Sequence, residues 1–280
     1  MAISLWLWYW ATDRQPGEHF ADLGKCFADL VARGFNAIRI DPLLNWIYDP
    51  SGNLRGPMEV GNIIEPGYCR NRPTTIGGVR VRVLPELLEL FRLAQKHDVY
   101  IVLTSWEYQP GHATELVADG ALRNEITGAP ADEKLMGHAR KYDLLLHELK
   151  REGLDERIAF IEIHNEINIL AASFGGKEET KAHTEAALSY LQERHPDLLF
   201  TGDYVLPATP DYAFDLNTAR STTADFAANS EVVDHHLYAF GIWGAFAAKA
   251  GIWGGLGGFS DLDSYMEDLR RTRTSFTSGS

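Results

Sequence analysis

Three ionisable side chains recur at every second position in residues 161–166, which read Ile-Glu-Ile-His-Asn-Glu. In an extended strand this period places Glu162, His164 and Glu166 on one face and the two isoleucines on the other. Ionisable groups inside a fold are costly unless they are hydrogen-bonded or used chemically, and desolvation raises the pKa of a buried carboxyl group. We therefore predict a general acid at Glu166, where the strand ends, and a structural polar network around Glu162, deeper in the strand.

The elements that would position these residues alternate along the 280-residue chain, with short apolar segments followed by amphipathic helices. This alternation is typical of βα units around a parallel sheet. It predicts an α/β fold, a TIM (β/α)8 barrel in which six βα units are recognisable, forming a single domain over residues 1–280 with a frayed polar tail at 272–280. The predicted strands lie near residues 4–10, 36–41, 99–104, 158–166, 198–205 and 232–238. Active sites of such barrels lie at the carboxyl ends of the strands, which is where Glu166 falls.

The composition excludes several classes of partner. A formal net charge of -13 disfavours nucleic acids and anionic membranes, and no apolar run approaches the length of a transmembrane helix. Residues 1–10 are apolar but lack a basic start and a cleavage site, so they predict a strand and a cytoplasmic protein, or a secreted one if a signal has been removed. The two cysteines, Cys26 and Cys69, support neither a disulfide framework nor a zinc site.

The Glu-Ile-His-Asn-Glu motif at residues 162–166 resembles the fourth-strand motif of family 5 glycoside hydrolases and their barrel relatives. In that family the pattern Glu-x-x-Asn-Glu ends with the catalytic acid/base, and the preceding Asn binds the substrate 2-hydroxyl. The resemblance implies these roles for Glu166 and Asn165. Ile167 stands where the family usually has proline, a departure that affects the turn.

Two further segments carry the same resemblance. Residues 34–40, Gly-Phe-Asn-Ala-Ile-Arg-Ile, resemble the family's second strand, whose arginine supports the nucleophile; this implies that role for Arg39. Residues 234–238, Asp-His-His-Leu-Tyr, resemble the sixth strand. That match implies that His236 contacts substrate and that the Tyr238 hydroxyl binds the nucleophile.

Together the three segments make most of the chain, about residues 6–238, similar to a retaining glycoside hydrolase of the cellulase and mannanase group. The resemblance implies a β-linked oligosaccharide or polysaccharide as the partner, with no cofactor and no metal. It does not indicate which sugar, which linkage, or endo or exo cleavage, because loops determine these properties.

Aromatic and acidic residues near the predicted strand ends are candidates for substrate binding, since a sugar ring can lie on an indole. Many family members have a histidine near the end of the third strand, where this chain has Thr-Ser-Trp-Glu-Tyr at residues 104–108. The predicted substrate-binding residues are Trp10, Trp46, Trp106, Glu107 and Asp203. Trp8 and Trp243 are weaker candidates of the same kind.

The sequence does not supply a nucleophile. A retaining mechanism needs a second carboxylate about 5 Å from the acid/base, and in the family this is a Glu that ends the seventh strand. The acids after Tyr238 all lie in a segment with helical periodicity. We favour the hypothesis that the chain is a fragment that lacks two strands. Such a fragment would have little or no hydrolase activity and would self-associate through open barrel edges. The alternatives are an inactive homologue, or a different partner carboxylate such as Glu107 or Glu162.

Two other functions fit the same barrel. A metal-dependent hydrolase could draw ligands from His164, His235, His236, Asp203 and Glu166, although no HExxH helix is present. A non-catalytic carbohydrate-binding barrel would keep the aromatic residues and need no second acid.

Overall fold

Parallel strands joined by helices form the centre of the molecule. The computed structural model describes residues 2–60, 79–109, 113–205 and 234–236. The strands are β1 (Ile3–Leu7), β2 (Ala37–Ile40), β3 (Met58–Val60), β4 (Val79–Val81), β5 (Tyr100–Thr104), β6 (Ile158–Glu162), β7 (Phe200–Thr201), β8 (Asp203–Val205) and β9 (Asp234–His236). The main sheet has the order β1-β2-β5-β6-β7, and all of its pairs are parallel.

Helices follow most of the sheet strands. The α-helices are α1 (Tyr9–Thr12), α2 (Leu23–Ala32), α3 (Leu44–Ile47), α4 (Val83–His97), α5 (Gly120–Thr127), α6 (Ala131–Arg151) and α7 (Lys177–Arg194). Short 3-10 helices lie at Ala113–Leu116, Asp155–Arg157 and Ile167–Phe174. No helix within the described ranges combines the length and the apolar character that crossing a membrane would require.

Burial explains why these segments take these forms. All four residues of β2 are buried, as expected for a parallel strand covered on both faces. On α6 the buried positions recur with helical spacing and include Leu135, Tyr142 and Leu149. The helix α2 begins at Asp22, whose carboxylate accepts a hydrogen bond from the backbone N–H of Lys25.

The structure confirms the predicted α/β class with a parallel sheet, and it changes some boundaries. The strand predicted over 158–166 ends at Glu162, and the strand predicted over 198–205 is divided into β7 and β8. The last strand, β9, pairs in parallel with β8. The antiparallel pairing of β3 with β4 was not predicted. The predicted tail at 272–280 and the helix before it lie outside the described residues.

A buried polar group connects α6 to the loops that follow β2 and β5. The Glu107 carboxylate accepts the backbone N–H of Asn45 at 3.0 and 3.1 Å, and its Oε2 lies 3.3 Å from His138 Nε2. Lys141 Nζ donates to the Asn45 side chain. Burial lowers the pKa of His138 and the pKa of Lys141 below their ordinary values.

The lowered pKa of His138 predicts a loss of stability in mild acid. In the unfolded chain a histidine titrates near pH ~6.5, so between that value and the lower folded pKa the unfolded state binds more protons. The free energy of unfolding should therefore fall as the pH drops below about 6.5, by up to about 1.4 kcal/mol per pH unit from this residue.

Urea unfolding of the wild-type chain and the His138→Gln variant between pH ~5.5 and ~7.5 measures this slope. We expect a smaller slope for His138→Gln than for the wild-type chain. Equal slopes for wild type and His138→Gln would contradict the prediction.

Candidate active site

Arg39, near the end of β2, joins the end of β6 to the first residue of β8. Its Nε donates to Glu162 Oε2 at 2.8 Å, and its Nη2 lies 2.5 Å from the same oxygen. Nη2 also donates to Asp203 Oδ2 at 2.6 Å and to Asn165 Oδ1 at 3.1 Å. Because β5 lies between β2 and β6 in the sheet, the arginine reaches across β5 to make these bonds. We call Arg39, Glu162 and Asp203 the charge cluster.

The charge cluster is buried. Glu162 and Asp203 are fully buried, and Glu162 Oε2 also accepts the hydroxyl of Thr104. The guanidinium carbon of Arg39 lies 4.6 Å from the centre of the Trp106 ring. A guanidinium can serve two carboxylates at once because its donors point in fixed directions. The cluster therefore holds the end of β6 rigidly against β2 and β8.

Asn165 and Glu166 follow β6 in a sharp turn. The backbone N–H of Asn165 donates to Ser105 O at 2.8 Å, and the N–H of Glu166 donates to Asp203 Oδ2 at 3.3 Å. Glu166 has a left-handed backbone, with φ at 50° and ψ at 48°. This conformation is uncommon for residues other than glycine and often occurs at functional sites.

Gln109 links the two side chains. Its Nε2 donates to Glu166 Oε2 at 3.1 Å, and its Oε1 accepts from Asn165 Nδ2 at 2.8 Å. Glu166 keeps 8% of its surface exposed, whereas Glu162 has none. The turn thus presents an amide and a carboxyl group side by side, above a buried charge cluster, and this arrangement can donate or accept a proton at a bound molecule.

His164 is fully engaged inside the fold. Its Nε2 accepts the backbone N–H of Tyr108 at 3.4 Å, so its Nδ1 carries the hydrogen that is donated to Asn165 O at 2.8 Å. The ring stacks on Tyr108 with 5.8 Å between centres. His164 therefore supports the turn, and neither of its nitrogens points away from these partners as a metal ligand would.

The predicted substrate-binding tryptophans Trp10 and Trp46 require correction. Both are buried in the core, and the Trp10 indole N–H donates to Asp41 O at 3.0 Å. An indole that stacks on a sugar must present a face, and these two present none. Trp106 is 3% exposed and lies against Arg39, so it packs on the charge cluster.

The two acidic members of that predicted set are also buried. Glu107 belongs to the polar group around His138, and Asp203 holds Arg39. Both carboxylates are bound to protein groups beneath the Asn165–Glu166 turn, so the prediction that they contact substrate is corrected. Several predicted site residues lie outside the part of the chain whose side chains the structure describes; they are His235, His236, Tyr238 and Trp243.

Two residues of the site were not predicted from the sequence. Gln109 follows β5 by five positions, and the rule that barrel sites lie beyond strand ends could have indicated it. Asp41 follows β2 directly and accepts the backbone N–H groups of Leu43 at 2.8 Å and Trp106 at 3.0 Å. Burial, together with the nearby carboxylate of Glu107, raises the pKa of Asp41 well above its ordinary value.

The described residues do not gather metal ligands at the strand ends. Within the described ranges, the one group of three potential ligands lies at α6 and the end of α7. Of the ligands predicted for a metal-dependent hydrolase, Asp203 binds Arg39 and His164 binds backbone groups, and the side chains of His235 and His236 lie outside what the structure describes.

Solved glycoside hydrolases share this fold. A candidate glycoside hydrolase from Parabacteroides distasonis ATCC 8503 superimposes with a TM-score of 0.63 at 19% identity, covering 99% of this chain and 68% of that one. GH5_18 from Streptomyces cattleya, solved in complex with GlcNAc, gives a TM-score of 0.50 at 18% identity, covering 85% of this chain and 51% of that one. The chain thus spans about two thirds of the first protein's length and about half of the second's.

No curated protein matches the sequence. A family model described as sugar-binding cellulase-like matches residues 3–201, which include the charge cluster's Arg39 and Glu162 and the Asn165–Glu166 turn. This match covers well over half of the chain, which therefore belongs to the sugar-binding cellulase-like family.

Proposed function

We propose that this chain carries the acid/base catalyst of a retaining glycoside hydrolase that acts on β-linked glycosides, with Glu166 as the acid/base. The observation that carries the proposal is the pairing of Asn165 and Glu166 by Gln109 at the end of β6. An amide beside a carboxyl group can bind a sugar hydroxyl while the acid faces the adjacent glycosidic oxygen.

The choice of Glu166 over Glu162 follows from access and from charge. Glu162 is fully buried and its Oε2 is bound to Arg39, so it is held in an ion pair and out of reach of a substrate. Glu166 lies four residues further along, keeps 8% of its surface exposed, and accepts a hydrogen bond from a neutral amide. A general acid must reach the leaving-group oxygen, and Glu166 meets this condition.

Asn165 is oriented for a hydroxyl ligand. Its Oδ1 accepts from Arg39 and its Nδ2 donates to Gln109, so the amide cannot flip without losing both bonds. An amide nitrogen carries two hydrogens. Among the described contacts one of them is used, and the second supports the proposed bond to the 2-hydroxyl of the sugar.

In the proposed mechanism the glycosidic bond breaks in a first displacement that forms a covalent glycosyl-enzyme, and water breaks the bond to the enzyme in a second. A carboxylate nucleophile attacks the anomeric carbon while Glu166 protonates the departing oxygen. Glu166 then takes a proton from the water that releases the sugar. We assign no nucleophile, because the other site carboxylates named above are at most 1% exposed and are held by hydrogen bonds; they are Asp41, Glu107, Glu162 and Asp203. Support of the nucleophile by Arg39 and Tyr238, and substrate contact by His236, remain part of the proposal.

Binding of a β-linked disaccharide tests the site without requiring turnover. We expect Asn165→Ala to weaken the affinity for β-1,4-linked glucose or mannose disaccharides about tenfold in calorimetric titrations, because one hydrogen bond to the sugar is lost. A disaccharide that lacks the 2-hydroxyl of the bound sugar should bind to the wild-type chain more weakly than the parent disaccharide does. The two disaccharides should bind to Asn165→Ala with equal affinity.

The exposed surface variant Glu178→Gln should bind like wild type. A chain that binds none of these disaccharides would contradict the proposal.

Aryl β-glycosides have activated leaving groups that make even a low hydrolase activity measurable, so any turnover of them by the chain tests Glu166. For a glycoside with a poorly acidic phenol, Glu166→Ala should lower kcat/KM on the order of 100-fold, because the departing oxygen is no longer protonated. For a dinitrophenyl glycoside, whose leaving group needs no proton, formation of the glycosyl-enzyme should be nearly as fast in Glu166→Ala as in wild type. Added azide should then accelerate turnover of the variant, because azide attacks the glycosyl-enzyme without the help of a base. Equal losses on both substrates, without an effect of azide, would rule out this role.

Gln109 offers a test of the geometry. We expect Gln109→Ala to reduce disaccharide affinity and kcat/KM about tenfold, since neither Asn165 nor Glu166 is then held in place. Gln109→Glu should not restore the loss, because a carboxylate cannot donate to Glu166. Gln95→Ala, which removes an exposed glutamine at the end of α4, serves as the matched control. Full activity in Gln109→Ala would show that the link is dispensable.

A further inference from the structure

Two histidines and an aspartate converge where the end of α7 meets α6. Asp143 and His147 are four residues apart on α6, and His195 directly follows α7. Asp143 Oδ1 lies 2.8 Å from His195 Nε2 and 3.4 Å from His147 Nε2. The potential ligand atoms of all three residues lie within 4.8 Å of one another.

The second oxygen of Asp143 is held by other groups. Tyr190 donates its hydroxyl to Asp143 Oδ2 at 3.0 Å, and Arg194 Nε lies 3.8 Å from the same oxygen. These contacts direct Oδ1 toward the two imidazoles. A hydrogen bond to the outer oxygen of a carboxylate is the usual way in which proteins orient a metal ligand.

Two imidazole nitrogens and one carboxylate oxygen form a donor set that suits zinc. Ligand atoms bound to a tetrahedral zinc at about 2.0–2.1 Å are about 3.3 Å apart. The two measured distances from Asp143 Oδ1, 2.8 and 3.4 Å, are close to that value. Asp143 and His195 are mostly buried, whereas the His147 side chain is 68% exposed and can adjust its position.

Arg194 places a positive charge beside these contacts. Its guanidinium carbon lies 3.7 Å from the centre of the Tyr190 ring, and its Nε approaches Asp143 from the Oδ2 side. The positive charge is therefore placed away from the face of the carboxylate that the histidines share. It balances the aspartate without occupying the space between the three potential ligands.

We propose that Asp143, His147 and His195 bind a zinc ion, with water as the fourth ligand. The ion links the end of α7 to α6, two helices that pack against each other. The site is separate from the Asn165–Glu166 turn and independent of any hydrolase activity. Its role is to fasten this pair of helices, because a metal that binds only the folded chain stabilises it.

Calorimetric titration of the untagged, metal-free chain with zinc chloride at pH ~7.5 tests the proposal. We expect one zinc ion per chain with a micromolar Kd, and a rise in Tm of about 5 °C at a hundredfold excess over Kd. His147→Ala and His195→Ala should weaken binding at least tenfold. Tyr190→Phe should weaken it about tenfold, because it removes only the bond that orients Asp143.

His183→Ala, which changes another histidine of α7, is the matched control and should bind zinc like wild type. Cobalt in place of zinc should give the intense visible absorption of a four-coordinate site, and this absorption should be lost in His195→Ala. Because His147 is exposed, His147→Ala should fold normally, so circular dichroism can separate lost binding from lost structure. Zinc affinity that is unchanged in His147→Ala and His195→Ala, or a wild-type Kd above about 1 mM, would overturn the proposal.

Discussion

The pairing of one buried guanidinium with two buried carboxylates is the constraint on which the site depends. Arg39 is bound to Glu162 and Asp203 at distances of 2.5–2.8 Å, and both acids are fully buried. Separating any member from the others would leave an uncompensated charge in the interior, which costs several kcal/mol. The ends of β2 and β6 and the start of β8 are therefore fixed relative to one another before any substrate binds.

One oxygen of Asp203 joins the turn that carries the acid to this cluster, in addition to the bond between Arg39 and Asn165. Asp203 Oδ2 accepts from Arg39 Nη2 and from the backbone N–H of Glu166. The second bond helps to hold Glu166 in its left-handed conformation, which costs about 1–2 kcal/mol for a residue with a β-carbon. Asp203, which we predicted to bind substrate, thus lies beneath the site. There it joins the buried ion pairs to the backbone of Glu166 and so helps to orient the acid.

The local sequence pattern predicted which side chains of β6 point into the fold, but it missed the features that depend on contacts between distant segments. The period-2 alternation correctly placed Glu162 inside the fold, since it belongs to β6; His164 is buried as well, although it lies beyond the end of that strand. It extended β6 four residues too far, because the turn at Glu166 is imposed by Asp203 from another strand. Gln109 was missed for the same reason: its partners are 56 and 57 residues away, and no local signal connects them.

The tryptophans show why residue type alone could not separate binding from packing. Trp106 has its ring against Arg39, while its backbone N–H donates to Asp41, so it joins the charge cluster to the loop after β2. An indole in that place excludes water and lowers the local dielectric, which strengthens every ion pair beside it. The proposed acid lies on a turn that this charge cluster holds in place. Trp106 therefore contributes to the proposed chemistry by strengthening the ion pairs of the cluster, and not by contact with the sugar.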